Sequence, residues 1–191
     1  MPEMHGGVVY EETSTLVVVA QRRWRATVER YRLANMAGEV DYLTIARSYP
    51  AVVSADPAGE FVVRSREVAG SGWSDHFWHI DPASGQPAPM RDATRYQLAF
   101  RLEPDPQDEA VAEPLLLASR AFHARSLLAT IRVRFIGEAP RSIWAYEGAS
   151  PFARPQTASR YNRTGLDAHQ QATLVLRDVH GGLFSGFGWE W

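Results

Sequence analysis

Apolar and polar side chains alternate most regularly between Leu127 and Ile136. A period of two residues is typical of a β-strand with one buried face, because successive side chains point to opposite sides of a sheet. The face predicted to be buried consists of Ala129, Ile131, Val133 and Phe135. Alternation resumes at residues 142–147, after a connection of five residues that contains Gly, Pro and charged side chains. The two runs predict an antiparallel hairpin at the centre of a sheet.

Further runs rich in β-branched and aromatic residues predict more strands, with turn-forming residues between them. The cleanest of these is Arg95–Leu102, in which Tyr96, Leu98, Phe100 and Leu102 share one face. We expect residues 40–48 and 61–68 to form a hairpin across the turn-rich segment between them. The remaining predicted strands are residues 8–10, 16–21, 73–80, 172–177 and 182–191. In the last of these, aromatic side chains alternate with glycines, which is typical of a strand that packs closely against a neighbour.

Two segments are predicted to be helical. In residues 22–36, Trp24, Val28 and Tyr31 recur at helical spacing. A strand remains the alternative for this segment, since Trp24 and Val28 also fit one face of a strand. Residues 114–124 predict a short helix, because a first-turn Pro is tolerated and apolar side chains recur on one side.

These elements predict a mainly-β fold, either a single-domain antiparallel β-barrel or a β-sandwich with one or two short helices, with an α+β fold as the alternative. The lack of helices between strands argues against parallel pairing. A chain of 191 residues fits one domain. Residues 1–7 are predicted to be a flexible tail, and residues 148–171 a long loop of the kind that is often functional or mobile.

Composition excludes several classes of function. The formal net charge is −2, so no overall field attracts nucleic acid or an anionic membrane. The chain has no Cys, which removes thiolate nucleophiles and Cys-ligated metals. It also has no Lys, which removes Schiff-base chemistry and a Walker A phosphate site. With no signal-like or membrane-spanning segment, we expect a cytoplasmic protein that uses no cofactor.

The densest group of chemically capable side chains lies in residues 73–81. Strand geometry places Asp75 and His79 on one face, where a carboxylate could orient the imidazole as a general base. Trp78 lies on the opposite face with His76 and could contact a ligand. A metal site is not expected, because two His residues at i and i+3 point to opposite sides of a strand.

Other candidate ligand-binding residues follow from the predicted hairpin. Arg132 and Arg134 share a face and could hold a carboxylate or phosphate, although two surface charges would give the same pattern. Trp144 and Tyr146 share a face of the next strand and could stack on a planar ligand. Near the C-terminus, Asp178, His180 and Ser185 have the residue types of a hydrolase triad, but their spacing does not match a nucleophile elbow.

Two hypotheses about function remain. The first is a small-molecule-binding β domain, either a carrier or a cofactor-independent enzyme of the isomerase or cyclase type, with an aromatic-lined cavity for a ligand of unknown identity. The alternative is a protein-interaction or assembly module without catalytic activity, including self-association into a homo-oligomer. In that case residues 148–171 and the C-terminal aromatic side chains would form the contact.

Overall fold

The computed structural model describes residues 7–36, 38–68, 72–107 and 113–191. These residues form twelve β-strands and no helix. In chain order the strands are Val8–Ala20 (β1), Arg23–Asn35 (β2), Leu43–Arg47 (β3), Val52–Ala55 (β4), Phe61–Val68 (β5), Gly72–His79 (β6), Thr94–Glu103 (β7), Leu117–Ala121 (β8), Ser126–Ile136 (β9), Ser142–Ala149 (β10), Gln171–Val179 (β11) and Phe184–Glu190 (β12). The mainly-β prediction is therefore confirmed. None of the described segments is a helix that could cross a membrane.

The strands form three sheets. The base sheet has six strands in the order β11–β9–β1–β2–β7–β4. The β12 sheet has the order β10–β12–β8, and the β6 sheet has the order β3–β6–β5. Both small sheets pack on the same face of the base sheet, the β6 sheet over β2 and β7 and the β12 sheet over β9 and β11. The result is an open β-sandwich, and the described strands close no barrel.

Each small sheet encloses its own hydrophobic core. The core under the β6 sheet includes Leu33, Phe77 and Phe100, and the core under the β12 sheet includes Val133 and Trp189. The two faces predicted to be buried are confirmed, since their side chains are at most 6% exposed. They consist of Ala129, Ile131, Val133 and Phe135 on β9, and Tyr96, Leu98, Phe100 and Leu102 on β7. Period-two alternation thus identified the inward faces of both strands.

The predicted hairpin between residues 127 and 147 is wrong. β9 lies in the base sheet and β10 lies in the β12 sheet, so the short connection crosses between layers. Both edges of β9 are already paired, with β1 on one side and β11 on the other, which leaves no place for β10 beside it. The β1–β9 pair is parallel, with Tyr10 opposite Ser126 and Ala20 opposite Ile136. The expectation of purely antiparallel pairing is therefore wrong as well.

Both predicted helices are strands. Residues 23–35 form β2, which pairs with β1 and β7. Within residues 114–124, β8 pairs with β12 along its whole length. The inward positions of β2 include Glu29 and Asn35, and β8 contains Arg120, so polar side chains interrupt the apolar alternation of both strands. This interruption is the physical reason that the sequence pattern was misleading.

Two other connections differ from the predictions or refine them. The predicted hairpin between residues 40–48 and 61–68 is wrong, because β6 pairs between β3 and β5. Residues 150–170 contain no strand, but this loop packs on the edge of β10. There, the N–H of Ala145 donates to the carbonyl of Asn162, and the N–H of Thr164 donates to the carbonyl of Ile143.

Residues 1–6 of the predicted tail lie outside the described residues.

Gly188 makes room for the indole ring of Trp144 on the neighbouring strand. A Cβ atom at Gly188 would lie 2.6 Å from Cε2 and Cζ2 of Trp144. The Gly188→Ala substitution should therefore displace the ring and lower the free energy of unfolding by about 1–3 kcal/mol, measured by urea denaturation. Gly165→Ala is the matched control, since a Cβ atom there meets no atom within 4 Å. Equal stability of the two variants would contradict this account.

Candidate functional site

Asp75 lies on β6 and is only 1% exposed. Its carboxylate accepts two hydrogen bonds from the guanidinium of Arg47 on β3, at 2.8 Å from Nε and 3.3 Å from Nη2. The same guanidinium donates to the backbone carbonyls of Tyr49 and Ala51, so its charge is enclosed by acceptors. Asp75 therefore pairs with Arg47 across the β6 sheet, and this arrangement fixes the chain after β3.

His79 shares the inward face of β6 with Asp75, as predicted, but Phe77 stands between them. The ring of His79 packs edge-on against Tyr96 at 4.8 Å and Phe61 at 5.8 Å between centroids. Its Nδ1 atom is buried and has no hydrogen-bond partner among the described residues. The structure does not bring Asp75 and His79 together as a carboxylate–imidazole pair.

Trp78 lies on the outer face of the β6 sheet, in a cluster of exposed and half-buried aromatic side chains. Its ring is 5.6 Å from Tyr42 and 5.9 Å from His76, and the guanidinium of Arg64 lies 5.9 Å from its centroid. The rings are tilted or perpendicular to one another, so they form a raised cluster and not a flat platform.

Arg132 and Arg134 lie on the face of the base sheet that faces away from both small sheets. Nη2 of Arg132 donates to the hydroxyl of Ser14 at 2.7 Å, and its Nε is buried without a partner among the described residues. Arg134 is exposed. The two arginines therefore share a face as predicted, but neither borders a cleft described below.

Trp144 and Tyr146 lie under the long loop on the outer face of the β12 sheet. Nε1 of Trp144 donates to the carbonyl of Pro155 at 2.9 Å, which ties the loop to the sheet. Tyr146 is 7% exposed and its hydroxyl has no partner among the described residues. Tyr146 borders a cleft of about 400 Å³, together with Glu147 and residues 161–164 of the loop. Among the predicted ligand-binding residues, Tyr146 alone borders this cleft.

A buried charged cluster that the sequence did not reveal joins the β12 sheet to the base sheet. Arg120 of β8 donates to the carboxylate of Glu29 and to the hydroxyl of Tyr31, both on β2. It also donates to Thr15 of β1 at 2.9 Å, and Thr15 in turn donates to Glu29 at 2.8 Å. The cluster lies between the two hydrophobic cores and connects the two layers.

The electrostatics of this cluster favour a structural role. Burial opposes the charge of Arg120, but Glu29 and Tyr31 outweigh it and raise the pKa of Arg120 above its usual value. Burial raises the pKa of Tyr31 and Tyr10 well above the usual range, against the effect of Arg120. The cation therefore remains charged, and both phenols remain neutral at neutral pH. Each member of the cluster is hydrogen-bonded to another member, and Nε of Arg120 is buried without a partner among the described residues.

A second cleft, of about 270 Å³, brings Asp178, His180 and Ser185 to one place. No hydrogen bond joins the three side chains. Asp178 instead accepts from Arg125 at 2.5 Å, and Ser185 accepts from the N–H of Gly148 at 3.0 Å. The arrangement lacks the nucleophile–base contact that a hydrolase triad requires.

β11 is an edge strand of the base sheet, and β9 is its one neighbour among the described strands. At its start, the N–H of Gln171 donates to the carboxylate of Asp167, and the carbonyl of Gln171 accepts from the N–H of Asp167. Both backbone groups of Gln171 therefore face away from β9. The preceding residue, Gln170, directs its carbonyl toward β9 and accepts from Phe135.

Three residues of β11 present free backbone groups at this edge. Because the direction of backbone groups alternates along a strand, Thr173, Val175 and Arg177 direct theirs outward, as Gln171 does. No described residue forms a hydrogen bond with them. Their side chains are exposed on the outer face, and Val175 is 54% exposed. The pairing of β11 with β9 runs through these residues without a bulge, so the edge is regular.

In the part of the chain that the structure describes, no group of three or more His, Asp or Glu side chains could hold a metal ion.

Comparisons with known proteins show the fold but not a family. A scan against protein-family models and a search of curated proteins each found no match. Among solved structures, 96% of the chain matches 41% of a "putative protease" from Parabacteroides distasonis, with a TM-score of 0.53 and 8% identity. Another match covers 95% of this chain and 42% of an M1 zinc metallopeptidase from Deinococcus radiodurans, with a TM-score of 0.48 and 13% identity. The chain thus spans about two fifths of the length of these two structures, and its likeness to the first of them is a likeness of fold.

Proposed function

We propose that the chain is a non-catalytic protein-interaction domain that accepts an extended strand along β11. The observation that carries this proposal is the row of free backbone groups at Thr173, Val175 and Arg177. An exposed edge of this kind pairs readily with another strand, because each added residue pair satisfies an N–H and a carbonyl. Natural edge strands are usually protected by charged side chains, Pro or a bulge, and residues 172–177 contain no Pro, no bulge and one charged side chain, Arg177.

Packing at the same edge supports the proposal. Leu174 and Val179 are half-buried and pack against the core under the β12 sheet. A strand added to β11 would cover them and extend that core outward. The buried charged side chains do not suggest a catalytic site, since Arg47 pairs with Asp75 and Arg120 pairs with Glu29.

The test uses a synthetic peptide with the sequence of residues 171–179 as the added strand. In amide NMR spectra of the isotope-labelled protein, we expect saturable shifts at the N–H groups of Thr173, Val175 and Arg177 at peptide concentrations up to about 1 mM. A control peptide with the substitution Val175→Pro should give no shifts, because Pro lacks the N–H and disrupts the added strand. Shifts elsewhere in the protein, or none with either peptide, would contradict the proposal.

A further inference from the structure

We propose that the strand accepted by β11 is the β11 strand of a second copy of this chain, related by a twofold axis at Val175. This inference rests on the proposed function and names its partner. The two base sheets would then form one continuous sheet across the axis. Such a contact is isologous, because each copy contributes the same surface.

Backbone geometry sets the register. In antiparallel pairing, residues directly opposite each other point to the same face of the sheet. The twofold axis must therefore pass between one residue and the same residue of the second copy. With Val175 opposite itself, Thr173 lies opposite Arg177 of the second copy, and Arg177 lies opposite Thr173 of the second copy. The three residues of each strand with free backbone groups are then all paired. The intermolecular ladder then ends at Arg177, because Val179 would lie opposite Gln171, whose backbone groups Asp167 already occupies. A shift of two residues toward the N-terminus would shorten the ladder further, because it would place Arg177 opposite Gln171.

Charge is self-complementary in this arrangement. Antiparallel pairing brings the C-terminal end of one β11 beside the start of the other, so Arg177 approaches Asp167 of the second copy. Asp167 and Arg177 are both exposed, and neither has an ion-pair partner within 4.0 Å among the described residues. The twofold axis creates this contact twice.

Apolar packing adds to the contact. On the inward face, the same register places Leu174 opposite Leu176 of the second copy. Leu176 belongs to the buried core, whereas Leu174 is only half-buried in one copy. Pairing the edges would therefore remove apolar surface from water on both sides of the axis.

Two other sheet edges are less suitable. β4, at the far edge of the base sheet, has four residues. The edge of β10 is already bonded to the long loop at Asn162 and Thr164. β11 combines nine residues with a free row of backbone groups.

Disulfide trapping tests the register directly, because the chain has no Cys and any introduced thiol is unique. Val175→Cys places the two sulfur-bearing residues opposite each other, with Cα atoms about 5.5 Å apart, which suits a disulfide. Thr173→Cys is the matched control on the same edge and face. Its two copies would lie four residues apart along the strands, about 14 Å, which is too far. Under mild oxidation, Val175→Cys should form a covalent dimer and Thr173→Cys should not.

Sedimentation equilibrium of the unmodified protein and three variants completes the test. The unmodified protein and Val175→Thr should form dimers at high concentration, whereas Val175→Pro should remain monomeric. Asp167→Asn keeps an oxygen for the N–H of Gln171 but removes the charge, and it should weaken dimerisation by about threefold to tenfold. The N–H of Val175 forms no bond to β9, so Val175→Pro keeps the ladder within the sheet, and a circular dichroism spectrum checks its fold.

Two results would overturn the inference. One is a monomer at every concentration, and the other is a dimer that Val175→Pro leaves intact. Neither result bears on the peptide experiment. Shifts with the peptide in a protein that stays monomeric would leave β11 as a strand-accepting edge whose partner is another protein.

Discussion

Replacing Asp75 with Ala should lower the free energy of unfolding by about 3–5 kcal/mol, measured by urea denaturation. Arg47 and Asp75 have side chains only 5% and 1% exposed. Removing the carboxylate leaves a guanidinium charge buried beside backbone carbonyls and without its anion. Desolvation of that charge is the main cost, because water cannot replace the lost partner.

The double variant Arg47→Met and Asp75→Leu is the control for this prediction. It removes both charges and keeps apolar volume, so it should be more stable than Asp75→Ala. A double-mutant cycle with the single variants Arg47→Met and Asp75→Leu should then give a coupling free energy above about 1 kcal/mol. A loss of less than about 1 kcal/mol in Asp75→Ala would show that Arg47 finds other partners, and the account of a closed ion pair would be wrong.

The second large effect is expected at Arg120. The Arg120→Met substitution keeps an apolar stem against Tyr31 and Phe122, whose rings lie 5.0 and 5.4 Å from the guanidinium carbon. It removes the cation that satisfies Glu29, so among the described residues the buried carboxylate retains only the hydroxyl of Thr15. We expect a loss of about 2–4 kcal/mol in the free energy of unfolding.

Arg120→Met combined with Glu29→Gln is the matched control. It removes both charges, keeps a side chain of the same shape on β2, and should recover part of the lost stability. If the double variant is less stable than Arg120→Met alone, the interaction between Arg120 and Glu29 does not account for the loss. Both variants should be compared at one pH and one salt concentration, since ion pairs respond to both.

Sequence alternation predicts a strand well when one face of it is wholly apolar. β9 and β7 have such faces, and their buried residues were predicted from period two alone. β2 and β8 were misassigned, and these are the two strands that Glu29 and Arg120 connect. Glu29 and Arg120 each interrupt the apolar alternation of their own strand. Each can be buried only because the other neutralises its charge. A contact between residues 91 positions apart leaves no local signal that a single strand could show.

The candidate site could be predicted only in part, for a related reason. Asp75 and His79 do share one face of β6, as strand geometry requires. The partner of Asp75 is Arg47 on another strand, and nothing in residues 73–81 identifies it. The edge position of β11 also depends on strand order. Because β9 was wrongly expected to pair with β10, the strand order could not be predicted from the sequence.

The parallel pair of β1 and β9 has a consequence for how the chain folds. A hydrogen bond between Thr13 and Ser126 spans 113 residues, so the N-terminal strand has no permanent neighbour on one side until the second half of the chain is available. Closing so long a loop is entropically costly and slows folding. During synthesis, β2 can pair with β7, but the other edge of β1 has no partner until β9 leaves the ribosome. A chain truncated before residue 126 should aggregate, because the edge of β1 that pairs with β9 would remain open to water and to other chains.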